Sequence, residues 1–312
     1  MNNNIPKISV VMSVYNGEQY LREAIDSILN QSFTEFEFII INDGSTDNSL
    51  QIIESYKDER IVLINQSNTG LAKALNIGIE KSRSNFIARM DADDISLPDR
   101  LQKQYDFLEQ HHECVAVGGN AEIIDKDGNY VYTSNQALSW EEIKNNLPSM
   151  PFIHSSTMYR KTAFDKVGGY PDMRSAQDAV LFNKFAKIGE LRNLPDVLIK
   201  YRICPTAVTT KSSGKDSKII ENIILDAIND KITEEQKNIL KSMAMNRDLK
   251  YKTAIYHLHI AKKYLWNNYQ PKLARKNLIK SLKIKFNKLS IFYYFVSFLP
   301  GNTINKLYKK LK

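Results

Sequence analysis

The sequence predicts an α/β fold with a doubly wound, mostly parallel sheet, flanking helices on both faces and a helical, basic C-terminal extension. Three observations predict it. Strand-like and helix-like segments alternate four times in about ninety residues, which is typical of a parallel sheet. Polar clusters follow the ends of the strand-like runs. Beyond about residue 215 the apolar spacing is helical, with no strand pattern.

The first four strands are predicted from short runs rich in β-branched and aromatic residues, which are typical of strands buried on both faces. These runs cover 8–14, 36–41, 61–64 and 85–90. Helices are predicted between them over 21–31, after the polar turn at 42–45, and over 71–82. Ligands of such sheets bind beyond the carboxyl ends of the strands, so we expect the binding site at the polar clusters there.

The next hundred or so residues mix the two kinds of element. The pair Asp127-Gly128 lies between two strand-like runs and predicts a hairpin. Helices are predicted over 140–146 and 176–188, and strands over 155–159 and 196–203.

The composition is that of a packed globular protein, with 43% hydrophobic residues in a chain of 312. Its two cysteines, Cys114 and Cys204, lack the paired spacing of a metal site, which favours a reducing compartment over a disulfide framework. The N-terminal residues do not have the pattern of a signal peptide. We therefore expect a cytoplasmic protein.

The net charge of +8 is unevenly distributed. Residues 249–312 carry fifteen Lys or Arg and no Asp or Glu, whereas residues 1–248 carry all 35 acidic residues and are net acidic. A basic tail indicates an anionic partner. A membrane surface is favoured over nucleic acid, because no nucleic-acid-binding module accompanies the charge.

The tail contains an apolar and aromatic run at 289–299 with basic residues on both sides. This run is too short to span a bilayer as a helix. Two interpretations stay open: an interfacial segment on anionic lipid, or a helix that packs on the preceding α/β domain and exposes a basic face. We expect reversible, peripheral membrane association.

The most informative polar cluster is Asp91-Ala92-Asp93-Asp94, which directly follows a predicted buried strand. Alternate carboxylates at such an edge are suited to a hard divalent cation, which neutralises charge on a diphosphate. The alternative is a polar turn that caps the helix beginning near Pro98. Asp43, at the end of the second strand, is a candidate partner for a base or ribose, or a helix cap within 43–47.

Residues 8–110 resemble the nucleotide-binding half of the family 2 glycosyltransferases, which have the GT-A fold. The resemblance rests on ISVVMSVYNGEQYLREAIDSILNQS, FEFIIINDGSTDNS, NTGLAKALNIGI and FIARMDADD, in the family's order and spacing. It continues more weakly to about residue 205. It implies a catalytic domain at 1–214, with a nucleotide-binding half at 1–110 and an acceptor half at 111–214, and a helical region at 215–312.

The resemblance implies an inverting transfer of a hexose or N-acetylhexosamine from a UDP-sugar, with Mn²⁺ or Mg²⁺, to a saccharide or lipid-linked acceptor. The products would be surface polysaccharide or lipopolysaccharide, made at the cytoplasmic face of a membrane. It also implies roles for single residues. The nucleotide-sugar residues would be Val14 and Glu18 beside the nucleoside, Tyr15 against the uracil, Asp43 at its ring nitrogen, Gly70 and Lys73 near the donor, Asp91 at the ribose, and its neighbour Ala92. Asp93 would bind the metal, and Asp178 would be the base that deprotonates the acceptor hydroxyl.

Two positions depart from the family pattern. Gln177 stands where the family usually has Glu before the catalytic Asp. Cys204 stands where a His commonly helps to hold the metal or diphosphate, and thiolate is a poor ligand for Mg²⁺ or Mn²⁺. Either the metal would then have fewer protein ligands, or Arg202 or Lys211 would meet the diphosphate. Cys204 is equally compatible with a small buried apolar role.

His154 matches a His that precedes a short strand in the family, which places it on the acceptor side; a purely structural histidine is the alternative. Two other functions are alternatives to the transferase. A sugar nucleotidyltransferase needs a glycine-rich, basic loop after the first strand, and residues 15–18 have one glycine and no base. A binding protein that keeps the fold without turnover is compatible with Gln177 and Cys204.

Overall fold

A computed structural model describes residues 5–205, 215–245 and 248–311 of the chain. The strands are β1 (Ile8–Val14), β2 (Phe36–Asp43), β3 (Ile61–Gln66), β4 (Phe86–Asp91), β5 (Ile95–Ser96), β6 (Cys114–Ile124), β7 (Tyr130–Thr133), β8 (Met158–Arg160) and β9 (Glu190–Arg202). The helices are α1 (Leu21–Leu29), α2 (Ser49–Glu54), α3 (Leu71–Lys81), α4 (Arg100–Gln110), α5 (Trp140–Asn145), α6 (Lys161–Val167), α7 (Gln177–Phe185), α8 (Lys215–Ile228), α9 (Glu234–Met245), α10 (Leu249–Trp266), α11 (Pro271–Ile284), α12 (Lys288–Val296) and α13 (Gly301–Leu311).

The described strands form one mixed sheet in the order β3-β2-β1-β4-β8-β6-β9-β5, with β7 paired to β6. The four strands from β3 to β4 are parallel, and the pairs β4–β8, β6–β8 and β5–β9 are antiparallel. This arrangement confirms the predicted α/β fold class. The parallel strands bring the ends of β1, β2 and β4 to one edge, where Val14 pairs with Asn42 and Ser13 pairs with Asp91.

Each face of the parallel sheet has its own apolar core, because successive side chains of a strand point to opposite faces. Val10 and Met12 of β1 pack on the side of α1, whereas Val11 packs on the side of α3. Helix α3 lies very close to the sheet, since a Cβ on Gly78 would come within 2.5 Å of Ile41 Cδ1. Glycine at this position is therefore required by packing.

The predicted helix over 21–31 is confirmed, and its buried residues are those of the helical spacing, Leu21, Ala24, Ile25 and Ile28. Two predicted strands have different bounds. A 3₁₀ turn at His154–Ser156 precedes β8, which begins only at Met158. Strand β9 begins at Glu190, before the start of the predicted strand at 196–203. Asn193 can be buried within this strand because it donates to the carbonyl oxygens of Ala137 and Pro151.

The described residues form two compact units. The first lies within 1–121, 135–201 and 213–243, and the second within 122–134, 202–212 and 244–312. The two units therefore interleave along the chain. The division at residue 214, between a catalytic domain and a helical C-terminal region, stays a prediction. In the first unit, Ile223 and Ala227 of α8 and Leu240 of α9 form a small core with Val180 of α7.

In the second unit, helices α10 to α13 pack together around an apolar core that includes Val131 of β7. Tyr264 and Leu265 of α10 contribute to this core, with Leu278 of α11 and Tyr293 of α12. The expectation of helices beyond residue 215 is confirmed for the described part of that region. Within the described ranges, we find no helix with the length and apolar character needed to cross a membrane.

Candidate functional site at the carboxyl edge of the parallel sheet

The loops after β1 and β2 are joined by hydrogen bonds. Asn16, which has a positive φ of 52°, accepts from the backbone N of Thr46 at 2.8 Å. The carboxylate of Glu18 accepts from both the backbone N and the side-chain amide of Asn48, at 3.0 and 2.7 Å. Glu18 therefore holds the two loops together, whatever it contributes to a bound nucleoside. Tyr15 between them is 55% exposed, so its ring is accessible to a ligand.

Asp43 lies at the end of β2, and its buried carboxylate organises the following loop. Its Oδ1 accepts from the side-chain amide of Gln66, and from the backbone N and hydroxyl of Thr69, at 2.8 to 3.0 Å. Its Oδ2 accepts from the backbone N of Gly70 at 2.9 Å. Gly70 has φ 90°, a conformation that favours glycine, and α3 begins directly after it. Asp43 and Gly70, two predicted site residues, are thus in direct contact.

Lys73 lies in the first turn of α3. Its Nζ forms an exposed ion pair with Asp172 Oδ2 at 3.1 Å. One turn further along α3, Asn76 bonds to both the carbonyl oxygen and the backbone N of Tyr170. Helix α3 is therefore attached to the segment that precedes α7.

The end of β4 carries a buried ion pair. Arg89 is fully buried and donates through Nη2 to Asp91 Oδ1, and the backbone N of Asp91 donates to Ser155 Oγ at 3.0 Å. Burial alone would raise the pKa of Asp91, but the Arg89 guanidinium, together with His154, holds it below the ordinary value. Asp91 thus keeps a negative charge that faces the sheet edge.

The turn after β4 contains the other predicted donor-side residues. Ala92 and Asp93 are partly exposed, whereas Asp94 is buried. A Cβ on Gly17 would lie 3.6 Å from Ala92 Cβ and 3.3 Å from Val14 Cγ1, so this turn lies against the loop after β1. In the described residues, no three His, Cys, Asp or Glu side chains are grouped as a metal site. A carboxylate such as that of Asp93 suits Mg²⁺ or Mn²⁺ when substrate phosphates supply further ligands.

His154, predicted on the acceptor side, lies in the 3₁₀ turn before β8. Its Nε2 forms a hydrogen bond with the hydroxyl of Tyr170 at 2.7 Å, and its ring packs edge-on against Phe182 of α7. Burial, with Arg89 nearby, lowers the pKa of His154 to about 4, while Asp178 and Asp91 act in the opposite direction. His154 is therefore neutral near pH 7, and it lies close to both carboxylates.

Asp178 is in the first turn of α7 and is partly exposed, and its Oδ1 accepts from the backbone N of Ala179 at 2.9 Å. The preceding Ala176 has φ 62°, a left-handed conformation that is strained for alanine. Gln177 is buried, and its Oε1 has no hydrogen-bond partner within the protein. Strain and an unsatisfied buried acceptor thus flank the candidate base.

Arg202 and Cys204 are both buried in the second unit. Arg202 ends β9, and a Cβ on Gly128, in the hairpin turn between β6 and β7, would lie 3.7 Å from its Nη1. Lys211 lies outside the described residues. The burial of Cys204 agrees with a small apolar role for this residue.

Sequence reasoning missed Arg89 and Tyr170 as members of the site. Besides the bond to Asp91, the Nε and Nη1 groups of Arg89 are buried without a hydrogen-bond partner within the protein. An arginine inside an otherwise apolar strand is the signal that identifies such a residue, since charged side chains are almost never fully buried unless paired. Tyr170 gave no comparable signal in the sequence.

Comparison with known proteins identifies the class of this protein. The family model described as glycosyl transferase family 2 matches residues 9–168, about half of the chain. A glycosyltransferase of Haemophilus influenzae is 33% identical over 297 residues, which cover 81% of this chain and 90% of that protein. The amylovoran biosynthesis glycosyltransferase AmsE of Erwinia amylovora is 32% identical over 205 residues, with 62% and 75% covered.

Solved structures show the same fold. S. aureus TarS 1–349 in complex with UDP-GlcNAc matches with a TM-score of 0.58 at 17% identity, covering 98% of this chain and 92% of that one. The mannosyltransferase PcManGT from Pyrobaculum calidifontis, in complex with GDP-Man and Mn²⁺, matches with a TM-score of 0.52 at 17% identity, covering 97% and 84%. The protein is thus a glycosyltransferase with a GT-A-like fold. It belongs to glycosyl transferase family 2.

Proposed function

We propose that this glycosyltransferase transfers a hexose or N-acetylhexosamine from a UDP-sugar to a saccharide or lipid-linked acceptor, with inversion, in the synthesis of a surface polysaccharide. The observation that carries the proposal is the set of carboxylates at one sheet edge, with Asp43 at the end of β2 and Asp91 at the end of β4. Both strands pair with β1, so the two carboxylates flank the end of one strand. The UDP-GlcNAc complex of TarS and the similarity to AmsE, an amylovoran biosynthesis glycosyltransferase, support the donor and product classes.

Donor recognition would use the fixed loops of this edge. The exposed ring of Tyr15 is placed to stack on a uracil, with Val14 and Glu18 beside the nucleoside. Asp43 is held rigidly by its loop bonds, so its carboxylate is a pre-organised acceptor for a ring N–H. Asp91, held by Arg89, would accept from a ribose hydroxyl, and Gly70 and Lys73 at the start of α3 would approach the diphosphate side.

A divalent cation fits this site in one specific way. Asp93 would supply a carboxylate ligand from the turn after β4, beside Ala92, and the donor diphosphate would supply further oxygens. The Mn²⁺ in the PcManGT complex supports such a requirement. When bound, the cation neutralises charge on the departing diphosphate.

Asp178 would act as the base. An acceptor hydroxyl is a poor nucleophile until its proton is removed, and a single carboxylate within hydrogen-bond reach is sufficient for this step. The oxygen of the acceptor then bonds to the anomeric carbon as the bond to UDP breaks, and the configuration inverts. His154 is neutral, so it can hydrogen-bond an acceptor hydroxyl on this side without neutralising the Asp178 carboxylate.

The test is UDP release from a panel of UDP-hexoses and UDP-N-acetylhexosamines, with Mn²⁺ or Mg²⁺ and with EDTA. Release from one donor that stops with EDTA supports the proposal, and the stereochemistry of the product tests inversion. UDP binding without release from any donor or acceptor would favour a non-catalytic binding protein. If neither UDP nor any UDP-sugar binds, the proposed donor is wrong.

We also propose that the chain associates reversibly with an anionic membrane, at the cytoplasmic face, through its C-terminal region. The support is the charge distribution, with fifteen basic and no acidic residues after Asp248. A membrane-bound enzyme would meet a lipid-linked acceptor at the surface where that acceptor resides.

A further inference from the structure

The exposed phenylalanines of the described residues are confined to one short segment. They are Phe286, Phe292, Phe295 and Phe298, with exposed fractions of 71, 46, 67 and 61%. The chain has 13 phenylalanines, and the fully or largely buried ones lie in its cores. Four exposed phenyl rings within thirteen residues indicate an interaction surface, because isolated exposed apolar residues need no explanation but a contiguous patch does.

Helix α12 has two distinct faces. Ser290, Tyr293 and Val296 are buried against the second unit's core. Leu289, Phe292 and Phe295 have the same spacing of three residues, one position earlier, and they lie on a neighbouring, exposed side of the helix. We call Leu289, Phe292 and Phe295, with the flanking Phe286 and Phe298, the aromatic face.

The charges around the aromatic face are all positive. Lys288 is exposed and shares the face, since it lies four residues before Phe292 and seven before Phe295. The Arg275 guanidinium of α11 lies 4.6 Å from the ring centroid of Phe298 and donates to the carbonyl oxygen of Ser297 at 2.9 Å. Lys285 directly precedes Phe286 and is exposed. No acidic residue occurs anywhere after Asp248.

These observations favour one kind of binding partner for the aromatic face. A second copy of this chain would bring two sets of uncompensated lysines together, which repel. Protein interfaces are also depleted in lysine, whereas lysines beside exposed aromatic rings suit a lipid surface with anionic headgroups. We propose that the aromatic face of α12 inserts into the interface of an anionic bilayer, with Lys285, Lys288 and Arg275 at its headgroups. This inference deepens the proposed membrane association by naming the surface, and it rests on that proposal.

The experiment is co-sedimentation of the full chain with vesicles of phosphatidylcholine alone or mixed with phosphatidylglycerol, at low and high salt. We expect binding to the mixed vesicles only, weakened by salt. The double variant Phe292→Gln/Phe295→Gln should lose affinity by about tenfold or more, and Lys288→Gln by about fivefold. The matched controls are Leu225→Gln, an exposed leucine on α8, and Lys81→Gln, an exposed lysine on α3, and both should bind like the wild type.

Circular dichroism and UDP release in solution, measured on every variant, report folding and activity separately from membrane binding. If the wild type binds mixed vesicles and the double variant binds equally well, the aromatic face is not the docking surface, although membrane association stands. If the wild type does not bind the mixed vesicles, the proposed membrane association and the docking role of the aromatic face are both wrong, whatever the assay of UDP release shows. Self-association by ultracentrifugation that the double variant abolishes, without vesicle binding, would assign the face to a second copy instead.

Discussion

The guanidinium of Arg89 and the carboxylate of Asp91 form an ion pair two residues apart on β4, with the arginine fully buried and the aspartate partly exposed at the sheet edge. Residues two apart on a strand point to the same face. Arg89 therefore keeps the Asp91 carboxylate ionised at the end of β4 and holds it in place from the buried side of the strand end. Ser155 fixes the backbone of Asp91 from the neighbouring 3₁₀ turn.

Arg89→Gln is expected to destabilise the protein by about 3 kcal/mol, because breaking a buried pair leaves its partner without compensation. The pKa of Asp91 should rise, and the affinity for UDP should fall about tenfold if Asp91 contacts the ribose. Urea unfolding and calorimetric titration with UDP measure the two effects.

The matched control for that variant is Arg192→Gln. Arg192 also pairs with a carboxylate two residues away on a strand, that of Glu190, but both side chains are partly exposed, at 36% and 30%. We expect less than about 1 kcal/mol from its removal, because solvent-exposed pairs contribute little, and unchanged UDP affinity. If Arg89→Gln were to bind UDP like the wild type despite lower stability, Arg89 would stabilise the fold without positioning Asp91.

Asp43→Asn should weaken UDP binding more than about tenfold and cost about 2 kcal/mol of stability. The carboxylate accepts bonds from Gln66, Thr69 and Gly70, and an amide nitrogen would face some of these donors. Asp58→Asn, at a half-buried pair with Arg60, is the control for the same chemical change. A variant that unfolds more easily but binds UDP normally would show that Asp43 serves only the loop.

Much of this fold was predictable because the central strands are simple in sequence. Strand β1 is predicted to the residue, since a continuous apolar run between polar turns leaves little choice of bounds. Strand β9 was less predictable, because Arg192 and Asn193 interrupt its apolar pattern and only tertiary hydrogen bonds make Asn193 compatible with burial. The two-residue β5 depends on its pairing with β9, which no local pattern encodes.

The candidate site was predictable to a similar degree. Asp43 and Asp91 were expected from their positions after buried strands, and the parallel pairing brings both beside the end of β1. The contact of Tyr170 with His154 joins residues sixteen positions apart, with β8 and α6 between them, and only packing determines it. The roles assigned to Asp93, Asp178 and Arg202 remain predictions, because they concern ligands rather than the fold.

Because of His154, the free energy of unfolding should decrease as the pH falls below the ordinary pKa of a histidine side chain. Its pKa is about 4 in the folded protein against 6.5 for the ordinary group. Above 6.5 both states are neutral and the histidine has no effect. Between 6.5 and 4 the unfolded chain binds a proton that the folded one does not, so stability falls by up to roughly 3 kcal/mol and levels off below 4.

The measurement is urea unfolding across this pH range for the wild type and for His154→Gln, which does not titrate there. The variant should show a flatter pH dependence of the free energy of unfolding. His112→Gln, at an exposed histidine, is the control and should keep the wild-type slope. Parallel curves for wild type and His154→Gln would mean that the burial of His154 does not govern acid stability.

Asp178→Asn separates the two interpretations of the carboxylate in the first turn of α7. A helix-dipole contribution is worth less than about 1 kcal/mol of stability at a partly exposed site. Loss of a catalytic base lowers turnover by about a hundredfold or more. We expect the second result, with UDP affinity unchanged, because the base would act on the acceptor and not on the nucleotide.

The assay for Asp178→Asn is UDP release with the donor and acceptor found active for the wild type, alongside urea unfolding. Glu235→Gln, at an exposed carboxylate in the first turn of α9, is the control for the dipole effect alone. It should show a similar small change in stability and full turnover. Wild-type turnover in Asp178→Asn would remove this residue as the base. The remaining carboxylates near His154 would then have to be tested, beginning with Asp91, whose lowered pKa already makes it a weaker base than an ordinary aspartate.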